Sequence, residues 1–380
     1  MILLKHADVY APEHLGLRDL FFCSGQIQAM APQLEVSLEG VEVIDCGGLR
    51  LVPGFLDQHV HITGGGGEGG FHTRAPEATL TALTTQGITT VVGLLGTDSC
   101  TRSVENLVAK TKALRREGIT AYCCTGSYAI PSTTLTGSVE KDIIFVEEIL
   151  GSKSAISDHR DSAPSDEAFF HLMAQTRTAG MIGGKPGIAV IHVGDGRDGL
   201  GKLFRALEQT DIPIKTMRPT HLNRNPRLLE EGLRWTSLGG YTDWTCGMSR
   251  ENRPAAVLRR AKDQGIPTEH MTISSDGYGS WSRYDAQGHL VEMGVSTVAA
   301  LHRELRALVK EYSFPLEEAL PFLTSQVADG LELPQKGRVR VGGDADLLLL
   351  DEQLDLELVM AMGQVMVRSG VSLVKGPYER

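Results

Sequence analysis

Residues 54–70 read GFLDQHVHITGGGGEGG: an apolar run, two histidines one residue apart, then a glycine-rich loop holding a single glutamate. Side chains two apart on a strand share a face, so His59 and His61 can point together from the end of a buried strand. The loop that follows supplies backbone able to approach a ligand closely and one negative charge, Glu68.

Seven further stretches resemble that opening strand. They are ITTVVGLLG (88–96), ITAYCCTGSY (119–128), VEEILGSKSAI (146–156), IAVIHVGDG (188–196), IKTMRPTHL (214–222), GGYTDWTC (239–246) and MTISSDGYG (271–279). Between them lie segments with apolar residues at three- and four-residue spacing, such as 101–118 and 164–180, each expected to be a surface helix ending on its glycine. Eight strand–helix units predict a TIM-like (β/α)8 barrel over residues 53–336. Short alternating stretches at both ends, LRDLFFC (17–23), VEVIDC (41–46) and VMAMGQVMVRSGVSLV (359–374), predict a small β-sandwich domain built from residues 1–52 and 337–380.

In a parallel barrel, functional groups gather at the C-terminal ends of the strands. There the sequence places His59 and His61 on the first, Lys153 on the fourth, His192 on the fifth, His221 on the sixth and Asp276 on the eighth. Any one of these has an ordinary structural explanation: a lone histidine is usually hydrogen-bonded, a lone lysine solvated. Six such residues on five strand ends point to a metal site, because neutral imidazole and carboxylate suit zinc-type cations.

The bulk numbers exclude other classes. The 380 residues carry a formal net charge of −10, which argues against nucleic-acid or anionic-membrane partners. The N-terminus lacks a signal-peptide apolar core, and no run reaches the ~18–20 apolar residues needed to span a bilayer, so a cytoplasmic protein is expected. The six cysteines (23, 46, 100, 123, 124 and 246) form no CxxC pair and read as inert, Cys123 and Cys124 within a buried strand.

The ligand pattern, the lead-in GGLRLVPGFLDQHVH (47–61) and the tail KGRVRVGGDADLLLLD (336–351) resemble the amidohydrolase superfamily. More narrowly, GGGGEGG (64–70), LLGTDS (94–99), GSY (126–128), SKSAISDHR (152–160), GGKPG (183–187), HVGDG (192–196), PTHLNRN (219–225) and SSDGYGS (274–280) resemble the isoaspartyl dipeptidases, or β-aspartyl peptidases. That resemblance implies hydrolysis of the isopeptide bond of β-aspartyl dipeptides by a hydroxide activated between two divalent cations, Zn2+ being the ion these ligands favour. It implies that His59, His61 and Asp276 hold one cation and His192 and His221 the other, with Lys153 bridging them after carboxylation by CO2. A buried lysine loses its proton readily, and its carbamate is a long-reach carboxylate.

The resemblance also implies that Asp276 moves the proton and that Tyr128 polarises the carbonyl. A dipeptide with one ammonium and two carboxylates needs complementary charges. Glu68 would take the ammonium and Arg160 and Arg224 the carboxylates, with Thr97, Ser280 and the backbone at Gly66 and Gly67 contributing. Ser99 stands where glycine is expected in relatives. A homo-oligomer, an octamer by resemblance, is expected. Two rival readings stay open: a sister enzyme opening a cyclic amide, as dihydroorotases and hydantoinases do, or a metal-free scaffold.

Overall fold

The computed structural model describes residues 1–285 and 287–379. Eight parallel strands lie side by side in chain order: β1 (Phe55–Val60), β2 (Ile88–Gly93), β3 (Thr120–Gly126), β4 (Ile149–Ile156), β5 (Ile188–Val193), β6 (Met217–Thr220), β7 (Thr242–Thr245) and β8 (Met271–Ser274). Nearly every residue of these strands is buried, as expected where helices cover one face and packed side chains the other.

The seam between β8 and β1 is drawn together just beyond the strand ends. A parallel bridge joins Val60 to Gly277, and the His61 amide donates to the Gly277 carbonyl at 2.9 Å. The buried Asp57 carboxylate accepts from the Ser275 amide at 3.2 Å, and burial raises its pKa to about 7. Two future site residues, His61 and Asp276, are thereby brought face to face.

Helices α1 (Leu80–Thr84), α2 (Val104–Glu117), α3 (Val139–Phe145), α4 (Asp166–Gly183), α5 (Gly201–Gln209), α6 (Pro226–Ser237), α7 (Pro254–Asp263) and α8 (Ala299–Lys310) follow the strands in turn. Their starts obey local chemistry: Ser103, Ser138, Ser165 and Asn225 each cap the next turn through a side-chain oxygen. Gly118 ends α2 in the left-handed conformation as expected. Helix α4 instead runs past Gly180 to a left-handed Gly184. Gly180 is there for close packing, since a Cβ would run into the backbone of Gly187.

The chain ends pair as expected. Strands Ile2–Tyr10, His14–Cys23, Gln26–Ala31, Glu42–Asp45 and Arg50–Pro53 join Leu347–Leu350, Leu356–Ala361, Gln364–Arg368 and Val371–Ser372 in one nine-stranded sheet. Leu4, Val9, Leu20, Phe22 and Ile27 from the front share a core with Leu347, Leu349, Leu358 and Met360 from the back. RVRV (338–341) is loop rather than strand. One element escaped the sequence reading: a hairpin of Ser280–Tyr284 paired with Leu290–Val295, inserted between β8 and α8. Among the described residues no helix is long and apolar enough to cross a membrane. No cysteine is in a disulfide. Cys46, Cys123, Cys124 and Cys246 are buried, and burial pushes the Cys46 and Cys123 thiols up to about 12, but Cys100 is exposed and Cys23 half-buried.

Candidate metal centre and substrate cleft

The expected residues converge at the C-terminal end of the barrel. His59 lies in β1 and His61 one residue beyond it, their ring centroids 5.6 Å apart. Both reach the same oxygen: Asp276 Oδ1 is 3.6 Å from His59 Nε2 and 3.3 Å from His61 Nε2. Lys153, wholly buried in the middle of β4, brings its Nζ to 3.3 Å from His59 Nε2. The His221 ring lies tilted against His59, centroids 5.0 Å apart, and edge-on to His192 at 4.7 Å. His59, His221 and Asp276 each offer one ligand atom, all within 4.8 Å of one another.

The backbone is bent to achieve this. His221 and Asp276 both sit just past strand ends with φ of 66° and 52°, in the left-handed region that non-glycine residues rarely occupy. Such a conformation costs on the order of 1–3 kcal/mol and persists where surrounding structure enforces it, commonly at working sites.

Burial keeps the imidazoles neutral. The pKa values of His59, His192 and His221 fall well below the usual range, chiefly through desolvation, which at His192 outweighs the opposing hydrogen bond to Asp158. Desolvation brings Lys153 down to about 8, against the opposing pull of Asp276, Cys124 and Asp243. Neutral imidazoles and a lysine ready to lose its proton are the states in which these groups bind cations. The buried Nδ1 atoms of His59 and His61 and Asp276 Oδ1 have no hydrogen-bond partner. A carboxylate oxygen buried without a donor between two imidazole nitrogens fits a cation, and the donor set of nitrogen and oxygen fits a zinc-type one.

His192 is held differently. Its Nε2 lies 2.7 Å from Asp158 Oδ2 and its Nδ1 2.8 Å from the Tyr128 hydroxyl. His221 Nδ1 meets the Thr245 hydroxyl at 2.8 Å, which leaves its Nε2 for the cluster. Burial pushes the Tyr128 phenol well above its ordinary value, so it stays protonated and able to donate.

Beside this cluster opens a cleft with His61, Tyr128, His192, His221 and Asp276 on its floor. Glu68, Thr97, Arg160, Arg224, Ser280 and Gly66 line it as expected. Gly67 does not line it; with φ of 106° it shapes the turn instead. Glu68 is held by Ser280 Oγ at 2.9 and 3.0 Å and by Thr97 Oγ1 at 3.3 Å, with Arg160 Nη1 at 3.5 Å. Ser99 accepts from the Thr133 hydroxyl at 3.4 Å. Arg160 is less free than the sequence suggested. Its Nε and Nη2 fork onto Asp158 at 2.9 and 2.8 Å, so only its outer edge faces the cleft. Arg224 keeps a buried Nε without a partner.

Asp158 was within a quoted motif but assigned no role; its position five residues after Lys153, beside Arg160, was the available signal. Thr245, Met248 and Trp281 also line the cleft and were not anticipated, Trp281 because the hairpin that carries it went unread.

The chain is similar to known proteins in sequence and in fold. The profile of the Amidohydrolase family matches residues 210–371. A crystal structure of β-aspartyl dipeptidase from Fervidobacterium islandicum AW-1, in complex with β-Asp-Leu dipeptide, is 40% identical and superposes with a TM-score of 0.93, covering 98% of each chain. Dihydroorotase from Staphylococcus aureus is 33% identical over 114 residues, 30% of this chain and 26% of that protein, so the match spans about a quarter of that relative's length. Dihydropyrimidinase from Brevibacillus agri, 17% identical with a TM-score of 0.68 over 98% of this chain and 96% of that one, shares the fold.

Proposed function

The chain belongs to the amidohydrolase family, in its β-aspartyl dipeptidase branch, and from that premise we propose that it hydrolyses the isopeptide bond of dipeptides with an N-terminal β-aspartyl residue. The observation that carries the reading is the pairing of one carboxylate with two guanidinium groups around the His–Lys–Asp cluster. A β-aspartyl dipeptide has one ammonium and two carboxylates, the inverse of Glu68, Arg160 and Arg224.

His59, His61, Lys153, His192, His221 and Asp276 would hold two divalent cations, zinc on the chemistry of the donors, with Lys153 carboxylated. When bound, the cations supply Lewis acidity that makes water acidic near neutral pH and polarises the scissile carbonyl. Tyr128, kept protonated by burial, donates to that carbonyl oxygen as charge develops on it. The Asp276 carboxylate, at the floor of the cleft, would accept the proton of the attacking water on the oxygen not turned to the cation and pass it to the leaving nitrogen. Glu68, set by Ser280 and Thr97, receives the α-ammonium, while the free edge of Arg160 and the Arg224 guanidinium receive the carboxylates. A cytoplasmic homo-oligomer, octameric by resemblance, and a division at residues 53 and 336 belong to the same proposal; light scattering of purified protein tests the assembly.

Release of leucine from β-Asp-Leu by purified protein, and its loss to a chelator, is the deciding experiment. The second reading, opening of a cyclic amide, is favoured by the partial match to dihydroorotase. Turnover of dihydroorotate or hydantoins with none of β-Asp-Leu would replace the first reading with it.

A further inference from the structure

We propose that Asp158 is a positioning residue that sets the proton of His192 and, through Arg160, ties the cation site to the substrate cleft. The inference rests on the reading above that His192 is a cation ligand. The Asp158 side chain is only 4% exposed and is ringed by donors. Oδ2 receives His192 Nε2 at 2.7 Å and Arg160 Nη2 at 2.8 Å; Oδ1 receives Arg160 Nε and the Arg160 amide, each at 2.9 Å.

An ionised carboxylate has only acceptor sites, so His192 must donate to it through Nε2–H. Three N–H groups of Arg160 already point at the two Asp158 oxygens, the surroundings of an ionised carboxylate paired with a guanidinium. With Nε2 protonated, the lone pair of a neutral His192 is on Nδ1, the nitrogen nearer the Tyr128 hydroxyl, at 2.8 Å against 3.4 Å for Nε2. His221 is set the other way by Thr245, whose hydroxyl occupies its Nδ1. The two neighbouring imidazoles therefore present different nitrogens to the same floor, and the carboxylate or hydroxyl behind each decides which.

The same carboxylate fixes Arg160 in a bidentate fork, and the outer Nη1 of that arginine lies 3.5 Å from Glu68. A continuous hydrogen-bonded chain, His192–Asp158–Arg160–Glu68, thus runs from the cluster to the residue assigned to the substrate's ammonium. Arg160 is held in place before substrate arrives, which lowers the ordering cost of binding.

The test is chelator competition on the full-length protein loaded with Co2+, following cobalt content and visible spectrum, together with steady-state kinetics on β-Asp-Leu. Asp158→Asn, which keeps size but can donate, is expected to release one of two ions at about 10–100-fold lower chelator concentration, with an altered spectrum and a fall in kcat. Arg160→Ala is expected to raise KM while holding both ions more nearly as wild type does. Unchanged ion retention and spectrum in Asp158→Asn would overturn the proposal, even if KM rose. Should that variant fail to fold, nitrogen-15 NMR of the wild-type imidazoles decides: His192 protonated at Nε2 supports it, and protonation at Nδ1 overturns it. A wild-type chain that holds no Co2+ would sink the cation reading itself and this proposal with it, an outcome distinct from the others.

Discussion

Replacing Glu68 with glutamine removes one charge from the cleft and almost nothing else. The amide oxygen can still accept from Ser280, which now holds the carboxylate at 2.9 and 3.0 Å, so the loop should keep its shape. What disappears is the attraction for an ammonium. Two unit charges about 4 Å apart interact by roughly 4 kcal/mol at the effective dielectric of a site near the surface. Glu68 is 12% exposed and already meets Arg160, so part of that attraction is screened or shared. A net loss of about 2–3 kcal/mol remains, or roughly 30- to 150-fold in kcat/KM at 1.36 kcal/mol per tenfold. The assay compares β-Asp-Leu with its N-acetylated analogue on both proteins. Wild type should favour the free amine by about that factor, and Glu68→Gln should lose the preference by failing only on the free amine. An equal loss on both substrates would show that Glu68 supports the loop rather than meets a charge, and the assignment would fall.

Other outcomes follow from the same geometry. Lys153→Ala should cut activity by more than the ~10–100-fold expected for losing an outer partner of a metal ligand, with partial rescue by formate or acetate; near wild-type rates would exclude a bridging role. Gly279→Ala should lower both metal content and turnover, because a Cβ there would sit 2.6 Å from Asp276 Oδ1 and 2.9 Å from His61 Cδ2. Intact metal binding in that variant would show that the cluster tolerates displacement. The metal-stripped protein should lose stability as pH falls below about 6.5, since the unfolded chain protonates its histidines while buried His59, His192 and His221 resist. Each would cost about 1.4 kcal/mol at pH 5.5 against an unfolded pKa near 6.5, so a melting temperature flat from pH 7.5 to 5.5 would refute their burial as neutral groups.

How far the sequence could be read varied with the physics involved. The barrel was legible because buried parallel strands are continuous apolar runs, and because His59, Lys153 and His192 interrupt such runs with polar groups that need a reason. The terminal strands were legible from their alternation. The inserted hairpin was missed because Trp281, Val291, Met293 and Val295 are exposed on it and, among the described residues, none of its side chains is buried. The extent of α4 was misjudged because a glycine that permits close packing looks the same in sequence as one that ends a helix. The cleft's charges could be named but not connected. That Arg160 spends two donors on Asp158 is a fact of side-chain geometry, with no periodicity to announce it.

The division of labour in the barrel explains why the reaction class is easier to read than the substrate. The cluster residues sit in or immediately after β1, β4, β5, β6 and β8, and their positions follow from the strands themselves. A dihydroorotase and a dipeptidase can both use such a floor, because activated water attacks an amide in either case. The choice between them is made above the floor. Glu68 reaches the cleft only because the 64–70 loop turns through left-handed glycines at 64, 66, 67 and 70, and Ser280 from beyond β8 clasps it there. A cyclic amide presents no ammonium, so it would forgo the attraction that a cationic group gains beside this carboxylate. In this chain that carboxylate is already satisfied by two hydroxyls and neighbours an arginine, so on the proposed reading the cleft would stand open without substrate and still favour a zwitterion over a neutral ring.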